Sequence, residues 1–127
     1  MISTILAIAS GGAIGALMRY GVNISAMKLW GADFPWATMI VNISGSFMMG
    51  VLIALFAYFW QPSESLRVFF ITGLLGAFTT FSTFSLDVAT LWERSNYIAS
   101  AAYIGGSVIL SVTALFAAMA LVRGFVS

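Results

Sequence analysis

The chain has 127 residues, of which 61% are apolar and only 7% are charged. Soluble domains carry roughly 25% charged residues, so the composition excludes a soluble enzyme, a disordered tail and a nucleic-acid-binding protein. Histidine and cysteine are absent, which removes most zinc sites, Ser–His or Cys nucleophiles and disulfides. We expect one integral membrane domain over residues 1–127, without enzymatic activity.

Charged residues leave four uncharged stretches, each long enough for a spanning helix of about 20 apolar residues. The predicted spans are 3–27, 36–60, 66–92 and 97–122. Tryptophans fall at the span ends, as in the aromatic belts of membrane interfaces. These are Trp30, Trp36, Trp60 and Trp92. The first stretch lacks the basic start of a cleaved signal peptide, so it is predicted to be a span.

The positive charges give little orientation signal. Arg67 and Arg123 lie on one side of the predicted bundle, and Lys28, Arg94 and Arg19 lie on the other. The positive-inside rule needs a larger bias to fix one direction. Insertion in both directions would allow an antiparallel homodimer with a two-fold axis in the membrane plane. A single orientation is the alternative.

In the first span, Gly11 and Gly15 form a small-xxx-small pair, a pattern that lets helix backbones approach closely in lipid. We interpret this pair mainly as packing. Arg19 follows one turn later. Its side chain could attract anions into a vestibule, extend to the interface or form a structural pair, and the last two roles are slightly favoured.

The second span carries Asn42, which shares a helix face with Thr38 and Ser46 at spacings of four residues. A buried amide without partners is costly, so Asn42 must face another helix, a cavity or a pore. Taken alone, an asparagine in a membrane helix more often forms an interhelical hydrogen bond than binds a ligand. Ser46 and Gly50 form a second small-xxx-small pair, which we also interpret as packing.

The third span is the most informative, because Gly73 and Gly76 precede five hydroxyl residues within positions 79–85. Hydroxyl side chains compete for backbone hydrogen bonds and disfavour helix interiors. The cluster straddles the middle of the span and therefore predicts a helix broken at the bilayer midplane. Irregular backbone at that depth is tolerated where it is buried in protein or lines water. Phe81 and Phe84 add ring edges that are electropositive.

The fourth span presents a stripe of hydroxyl groups at spacings of three, four and four residues. The stripe consists of Ser100, Tyr103, Ser107 and Ser111. Serines in membrane helices often bond back to their own backbone, so packing competes with a wet or ion-lining track. No carboxylate is central in any span, which argues against a proton-coupled antiporter. Asp87, toward a span end, is the nearest candidate.

Three segments together resemble the small fluoride channels of the Fluc or CrcB family. They are 12–20, 42–50 and 73–85. The specific features are the NxxGSF pattern at 42–47 and the TTFSTF string at 79–84. The sequence departs from the family pattern at Ala37 and Ala77, where glycine is common, and at Asp87, where glutamate is common.

The resemblance implies an all-α, antiparallel, dual-topology homodimer with two fluoride pores. By the resemblance, the residues of the fluoride pore are Asn42, Phe81, Phe84, Thr83, Tyr103, Ser107 and Ser111. A structural sodium ion at the dimer interface would be held by the backbone carbonyls of Gly76 and Thr79. Arg19 stays a vestibule candidate from its position in the first span and not from the resemblance. The implied partners are fluoride, a second copy of the chain and the lipid of the cell membrane, with no nucleic acid.

The implied activity is passive fluoride export that confers fluoride resistance. Fluoride trapped in a near-neutral cytoplasm is expelled by an inside-negative potential, which contributes about 2.3 kcal/mol per charge per 100 mV. Two alternatives remain, a small-molecule or multidrug antiporter and a non-transporting scaffold subunit. A need for a proton gradient would favour the first, and the hydroxyl cluster at 79–85 argues against the second.

Overall fold

The computed structural model describes residues 1–126, and all regular secondary structure in that range is helical. The elements are α1 (Ile2–Trp30), α2 (Trp36–Tyr58), α3 (Glu64–Val68), a π-helix (Phe69–Leu75), α4 (Gly76–Phe78), α5 (Ser82–Glu93) and α6 (Tyr97–Gly124). Four stretches are long and apolar enough to cross a membrane, the third of them running from Glu64 to Glu93. This finding confirms the predicted four-span architecture.

Local chemistry explains the span ends. α1 extends to Trp30, three residues beyond the predicted end, because the first residue with positive φ is Gly31 at 76°. The third span starts at Glu64 because the Ser63 hydroxyl accepts the Leu66 N–H at 3.3 Å and caps the helix. The other boundaries lie within two residues of the prediction.

α1 packs against the π-helix by direct backbone contact. A Cβ at Gly11 would collide with the Phe69 carbonyl oxygen, and one at Gly15 would collide with that of Leu74. From the other side, a Cβ at Gly73 would lie 2.8 Å from the Ile8 oxygen. The packing interpretation of Gly11 and Gly15 is therefore confirmed, and any larger residue here would force the helices apart.

α2 packs along α6 in the same manner. A Cβ at Gly50 would collide with the Leu115 carbonyl oxygen and lie 2.9 Å from the Ala118 Cβ. α2 also approaches the third span through Gly45, where an added Cβ would collide with the Thr79 Cγ2. These contacts place the NxxGSF segment of α2 directly beside residues 79–81 of the third span.

The third span departs from a regular α-helix in two places. Its π-helical segment, Phe69–Leu75, was not predicted, and π-helices are rare and concentrate at functional sites. Past Phe78 the helical run ends, Thr79 is extended at φ −85° and ψ 162°, and helix resumes at Ser82. The hydroxyl cluster of the sequence lies at this interruption, which we call the 79–81 segment.

Candidate functional site

The 79–81 segment is held by Asn42 through two hydrogen bonds to the backbone of one residue, Thr80. The Thr80 N–H donates to Asn42 Oδ1 at 2.8 Å, and Asn42 Nδ2 donates to the Thr80 carbonyl at 3.0 Å. The side-chain amide thus replaces a missing helical neighbour and satisfies backbone groups that would otherwise be orphaned. One of the two Nδ2 hydrogens makes the bond to the Thr80 carbonyl, and the other can be donated to a further acceptor.

Backbone amides that would normally close helical bonds are diverted at this segment. The Thr80 N–H, the helical partner of the Gly76 carbonyl, goes to Asn42. The Thr83 N–H, the helical partner of the Thr79 carbonyl, goes to the Thr80 hydroxyl at 3.2 Å. The Gly76 and Thr79 carbonyls named as sodium ligands by the resemblance therefore lose their usual donors.

This donor set fits a hard monovalent cation. Carbonyl oxygens are the ligands that replace the water shell of such ions in channels. Within residues 1–126 no cluster of His, Cys, Asp or Glu side chains could hold a metal ion. A cation at this position would thus be held by backbone carbonyl or hydroxyl oxygens of the described residues and not by such a cluster.

Arg19 forms a structural pair with the end of α4. Its Nε donates to the Ala77 carbonyl at 3.0 Å, and its side chain is half-buried. Of the roles considered for Arg19, the structure therefore shows the structural pairing. Ala77 lies between Gly76 and Thr79 in the sequence, so Arg19 binds the stretch of backbone that carries the two carbonyls whose donors are diverted.

A cavity of about 330 Å³ lies between α2, the 79–81 segment and α6. We call it the Asn42 cavity. Of the residues singled out from the sequence, its walls include Asn42, Ser46, Thr79, Phe81, Phe84, Ser107 and Ser111. Among the described residues, none that lines this cavity carries a formal charge.

The Ser107 and Ser111 hydroxyls are the unusual groups of this cavity. Both oxygens are buried, and neither has a hydrogen-bond partner within residues 1–126. Four other helical hydroxyls in the chain donate to a carbonyl one turn earlier, at 2.6–3.1 Å. These are Ser10, Ser44, Ser85 and Thr90. Backbone bonding therefore does not account for Ser107 and Ser111, and each buried unpaired hydroxyl costs about 1–3 kcal/mol.

Two phenylalanine rings border the Asn42 cavity in different ways. Phe84 is 8% exposed and packs 5.1 Å from the Tyr103 ring, whereas Phe81 is 79% exposed. Their ring centroids are 5.6 Å apart and tilted by 44°. Phe84 is thus fixed in the helix bundle, and Phe81 projects from a single chain at the rim of the cavity.

Thr83 and Tyr103 lie elsewhere. Thr83 lines a second cavity of about 380 Å³, which we call the Asp87 cavity, together with Asp87, Thr38 and Arg94. The fully buried Tyr103 donates its hydroxyl to Asp87 Oδ2 at 2.9 Å. Its ring packs against Phe84, which borders the Asn42 cavity, at a tilt of 41°. It also makes an edge-to-face contact with Phe34, which borders the Asp87 cavity. Tyr103 therefore separates the two cavities, with its proton committed to a carboxylate.

Sequence reasoning missed three contributors to the site. Thr80 supplies the backbone N–H and carbonyl that Asn42 binds, Gly45 provides the space for Thr79, and Asp87 is the partner of Tyr103. Thr80 and Gly45 were inside the quoted patterns, and their spacing was a usable signal. Pairing between Asp87 and Tyr103 depends on how α5 meets α6, which no local pattern reveals.

These features define a multi-pass membrane protein with an uncharged cavity between its helices, lined by apolar and hydroxyl side chains and one amide. The family model described as "CrcB-like protein, Camphor Resistance (CrcB)" matches residues 6–119. The chain therefore belongs to the CrcB family and is a multi-pass protein of the cell membrane.

Curated relatives cover almost the whole chain. A protein of Rhodospirillum centenum named "Fluoride-specific ion channel FluC" is 54% identical over 119 residues, 94% of each chain. A protein of the same name from Cereibacter sphaeroides is 50% identical over all of both chains. One from Agrobacterium fabrum is 49% identical over 91% of this chain and 93% of its own. The relatives are named as channels and not as enzymes, as expected for this chain.

Proposed function

We propose that this chain forms a fluoride-selective channel for passive export of fluoride from the cytoplasm. The observation that carries the proposal is the pair of buried hydroxyls of Ser107 and Ser111, two residues that line the Asn42 cavity, which have no hydrogen-bond partner within residues 1–126. Buried polar groups in native proteins are almost always hydrogen-bonded, so two adjacent exceptions indicate a ligand. The names of the relatives support fluoride as that ligand.

The chemistry of the cavity suits fluoride. Fluoride accepts hydrogen bonds and donates none, and it must exchange its water shell for protein donors to pass. Ser107, Ser111 and the second Nδ2 hydrogen of Asn42 are such donors. The electropositive ring edges of Phe81 and Phe84 add weak attraction. Without a charged side chain in the walls, the ion would be bound weakly enough to leave, as conduction requires.

The proposed assembly is an antiparallel, dual-topology homodimer with two pores. In a single chain, the large apolar ring of Phe81 is 79% exposed at the rim of the Asn42 cavity. A second copy of the chain would cover this ring and close the cavity, and two-fold symmetry would then generate two pores. The near balance of basic residues on the two sides is compatible with insertion in both directions.

We further propose a structural sodium ion held by the Gly76 and Thr79 carbonyls of both chains. The diverted amides of Thr80 and Thr83 leave these oxygens available. When bound, the cation would supply positive charge where four carbonyl dipoles converge. Asn42 and Arg19 keep the peptide units around it in place.

The test is fluoride efflux from liposomes. Purified protein would be reconstituted in vesicles loaded with potassium fluoride, a potassium ionophore would set the potential, and a fluoride electrode would record efflux. Matched vesicles loaded with potassium chloride give the control. We expect rapid fluoride efflux, negligible chloride efflux and no need for a proton gradient.

The alternatives give different results in the same assay. Efflux only when a proton gradient is imposed would indicate an antiporter and direct attention to Asp87. Absence of fluoride efflux from vesicles shown to contain folded protein would contradict the channel and leave the scaffold interpretation. Comparable chloride and fluoride rates would refute the proposed selectivity.

A further inference from the structure

The role of Arg19 is the feature that the proposed pore leaves unexplained. A positive charge half-buried in a spanning helix is costly and is retained for a purpose. In this structure the guanidinium is bonded to a backbone carbonyl, and the Asn42 cavity does not include it among its walls. Its purpose must therefore be sought at the end of α4.

The position of Arg19 is fixed by the glycine contact of α1. Gly15 sits against the Leu74 carbonyl with no space for a Cβ, and Arg19 follows Gly15 by four residues on the same face. Ala77 follows Leu74 by three residues, so it faces α1 at the same level. The backbone fit therefore places Nε of Arg19 at 3.0 Å from the Ala77 oxygen without adjustment of either helix.

The last carbonyls of a helix are free to bind other groups, and those at the end of α4 lie around Ala77. Arg19 takes the Ala77 carbonyl, whereas the donors of Gly76 and Thr79 are diverted to Asn42 and Thr80. One carbonyl is thus bound on the side of α1, and two are left for another ligand. A charge-assisted bond of this kind is stronger than a neutral one and holds the peptide unit more firmly.

We propose that Arg19 is a positioning residue for the central cation site. By holding the Ala77 carbonyl, it fixes the end of α4 so that the Gly76 and Thr79 carbonyls converge on a monovalent cation. This inference rests on the proposed sodium site and assigns to Arg19 no contact with fluoride. Its positive charge acts against the cation, so its contribution is geometric.

The positive charge of Arg19 repels a bound cation, so variants that keep or remove this charge can test whether the role of Arg19 is geometric. Two variants are used. Arg19→Gln removes the charge, and Arg19→Lys keeps it but has a methylene group at the position of Nε. Melting temperatures would be measured in detergent, in sodium chloride and in N-methylglucamine chloride. We expect wild-type protein to be stabilised by sodium, and both variants to need roughly 10-fold or more sodium for half of that effect. Lys28→Gln, near the end of the same helix, is the matched control and should behave as wild type.

Fluoride efflux at varied sodium gives a second readout. We expect both Arg19 variants to conduct poorly at low sodium and to recover at saturating sodium, which a general loss of stability would not produce. If Arg19→Gln instead binds sodium more tightly and Arg19→Lys is unchanged, the charge alone matters and the proposal is overturned. Sodium dependence equal to that of wild type in both variants also overturns it.

Two further outcomes separate this inference from the channel itself. Protein that conducts fluoride but is not stabilised by sodium would retain the proposed function and refute the role of Arg19. Protein that is stabilised by sodium in an Arg19-dependent way but does not conduct fluoride would support the role of Arg19 and refute the proposed channel function. Should neither variant fold, the 15Nε signal of Arg19 in wild-type protein decides, because it must shift when sodium replaces N-methylglucamine.

Discussion

The hydroxyl stripe of α6 divides into two halves that differ in whether their groups have partners. In the half near the start of α6, Ser100 donates to the Val88 carbonyl at 3.4 Å and Tyr103 donates to Asp87 at 2.9 Å. In the other half, the Ser107 and Ser111 oxygens are buried without a partner in residues 1–126. The first half joins α6 to α5, whereas the second half faces a cavity. One sequence pattern thus serves both packing and the proposed ion path.

The largest effect on fluoride efflux is expected at Asn42, because its amide both holds the Thr80 backbone and has one N–H that is free to donate. Asn42→Asp would replace the donor to the Thr80 carbonyl by an acceptor and place an anion in the cavity. We expect the fluoride efflux rate to fall by roughly 100-fold or more. Asn96→Asp, in the exposed connection before α6, is the matched control. Wild-type efflux from Asn42→Asp would remove Asn42 from the pore.

The double change Ser107→Ala and Ser111→Ala tests the unpaired half directly. Two donors are lost from the ion path, so we expect efflux to fall by about 10-fold to 100-fold. Because no protein hydrogen bond is broken, the melting temperature should stay constant or rise. Ser44→Ala, which removes a hydroxyl bonded to the Ile40 carbonyl, is the control with unchanged efflux. A drop in stability with unchanged efflux would show that the hydroxyls have structural partners after all.

Phe81→Ile tests whether fluoride efflux depends on the aromatic ring edge of Phe81 or only on a large apolar side chain at this position. Contacts to an aromatic edge contribute about 0.5–1.5 kcal/mol, so we expect efflux to fall by several-fold up to about 10-fold. The proposed dimer, measured by size-exclusion chromatography with light scattering, should be unaffected by this change. Phe59→Ile, at the end of α2, controls for loss of an exposed ring. Undiminished efflux in Phe81→Ile would contradict the role of the ring edge.

Tyr103→Phe tests the paired half and should affect transport least. The Asp87 carboxylate loses a donor, which costs about 1 kcal/mol and should lower the melting temperature by a few degrees. Efflux should change by less than about 3-fold, because the tyrosine proton is committed to Asp87 and not to the path. Tyr97→Phe, exposed at the start of α6, is the control. A large loss of efflux at unchanged stability would place Tyr103 with Ser107 and Ser111.

The sequence allowed the four spans and several contacts of the candidate site to be predicted, for physical reasons visible in particular residues. Runs without charge located the four spans, and the small-xxx-small pair of Gly11 and Gly15 predicted close packing. The pattern at 42–47 indicated an amide facing a partner, and Asn42 does face Thr80. In each case the signal is local, because the residue type and its spacing determine the face.

Other features depended on contacts between distant segments and could not be predicted. The π-helix lies where the backbone of α1 packs against Gly73 of the third span. No residue pattern within Phe69–Leu75 predicts a π-helix there. The bond from Arg19 to Ala77 and that from Tyr103 to Asp87 each need the relative height of two helices. The assembly, the sodium site and the pore roles of the named residues remain predictions.

The glycine contacts described above also constrain how the protein is made. The first span fits the third through Gly11 and Gly15, and the second fits the fourth through Gly50. During synthesis, therefore, neither of the first two spans meets its close-fitting partner when it enters the bilayer. The first must wait for the third and the second for the fourth, so both backbone contacts form late. Truncation of α6 before Leu115 would leave Gly50 without its close-fitting partner, and quality-control proteases would then encounter an incompletely assembled bundle.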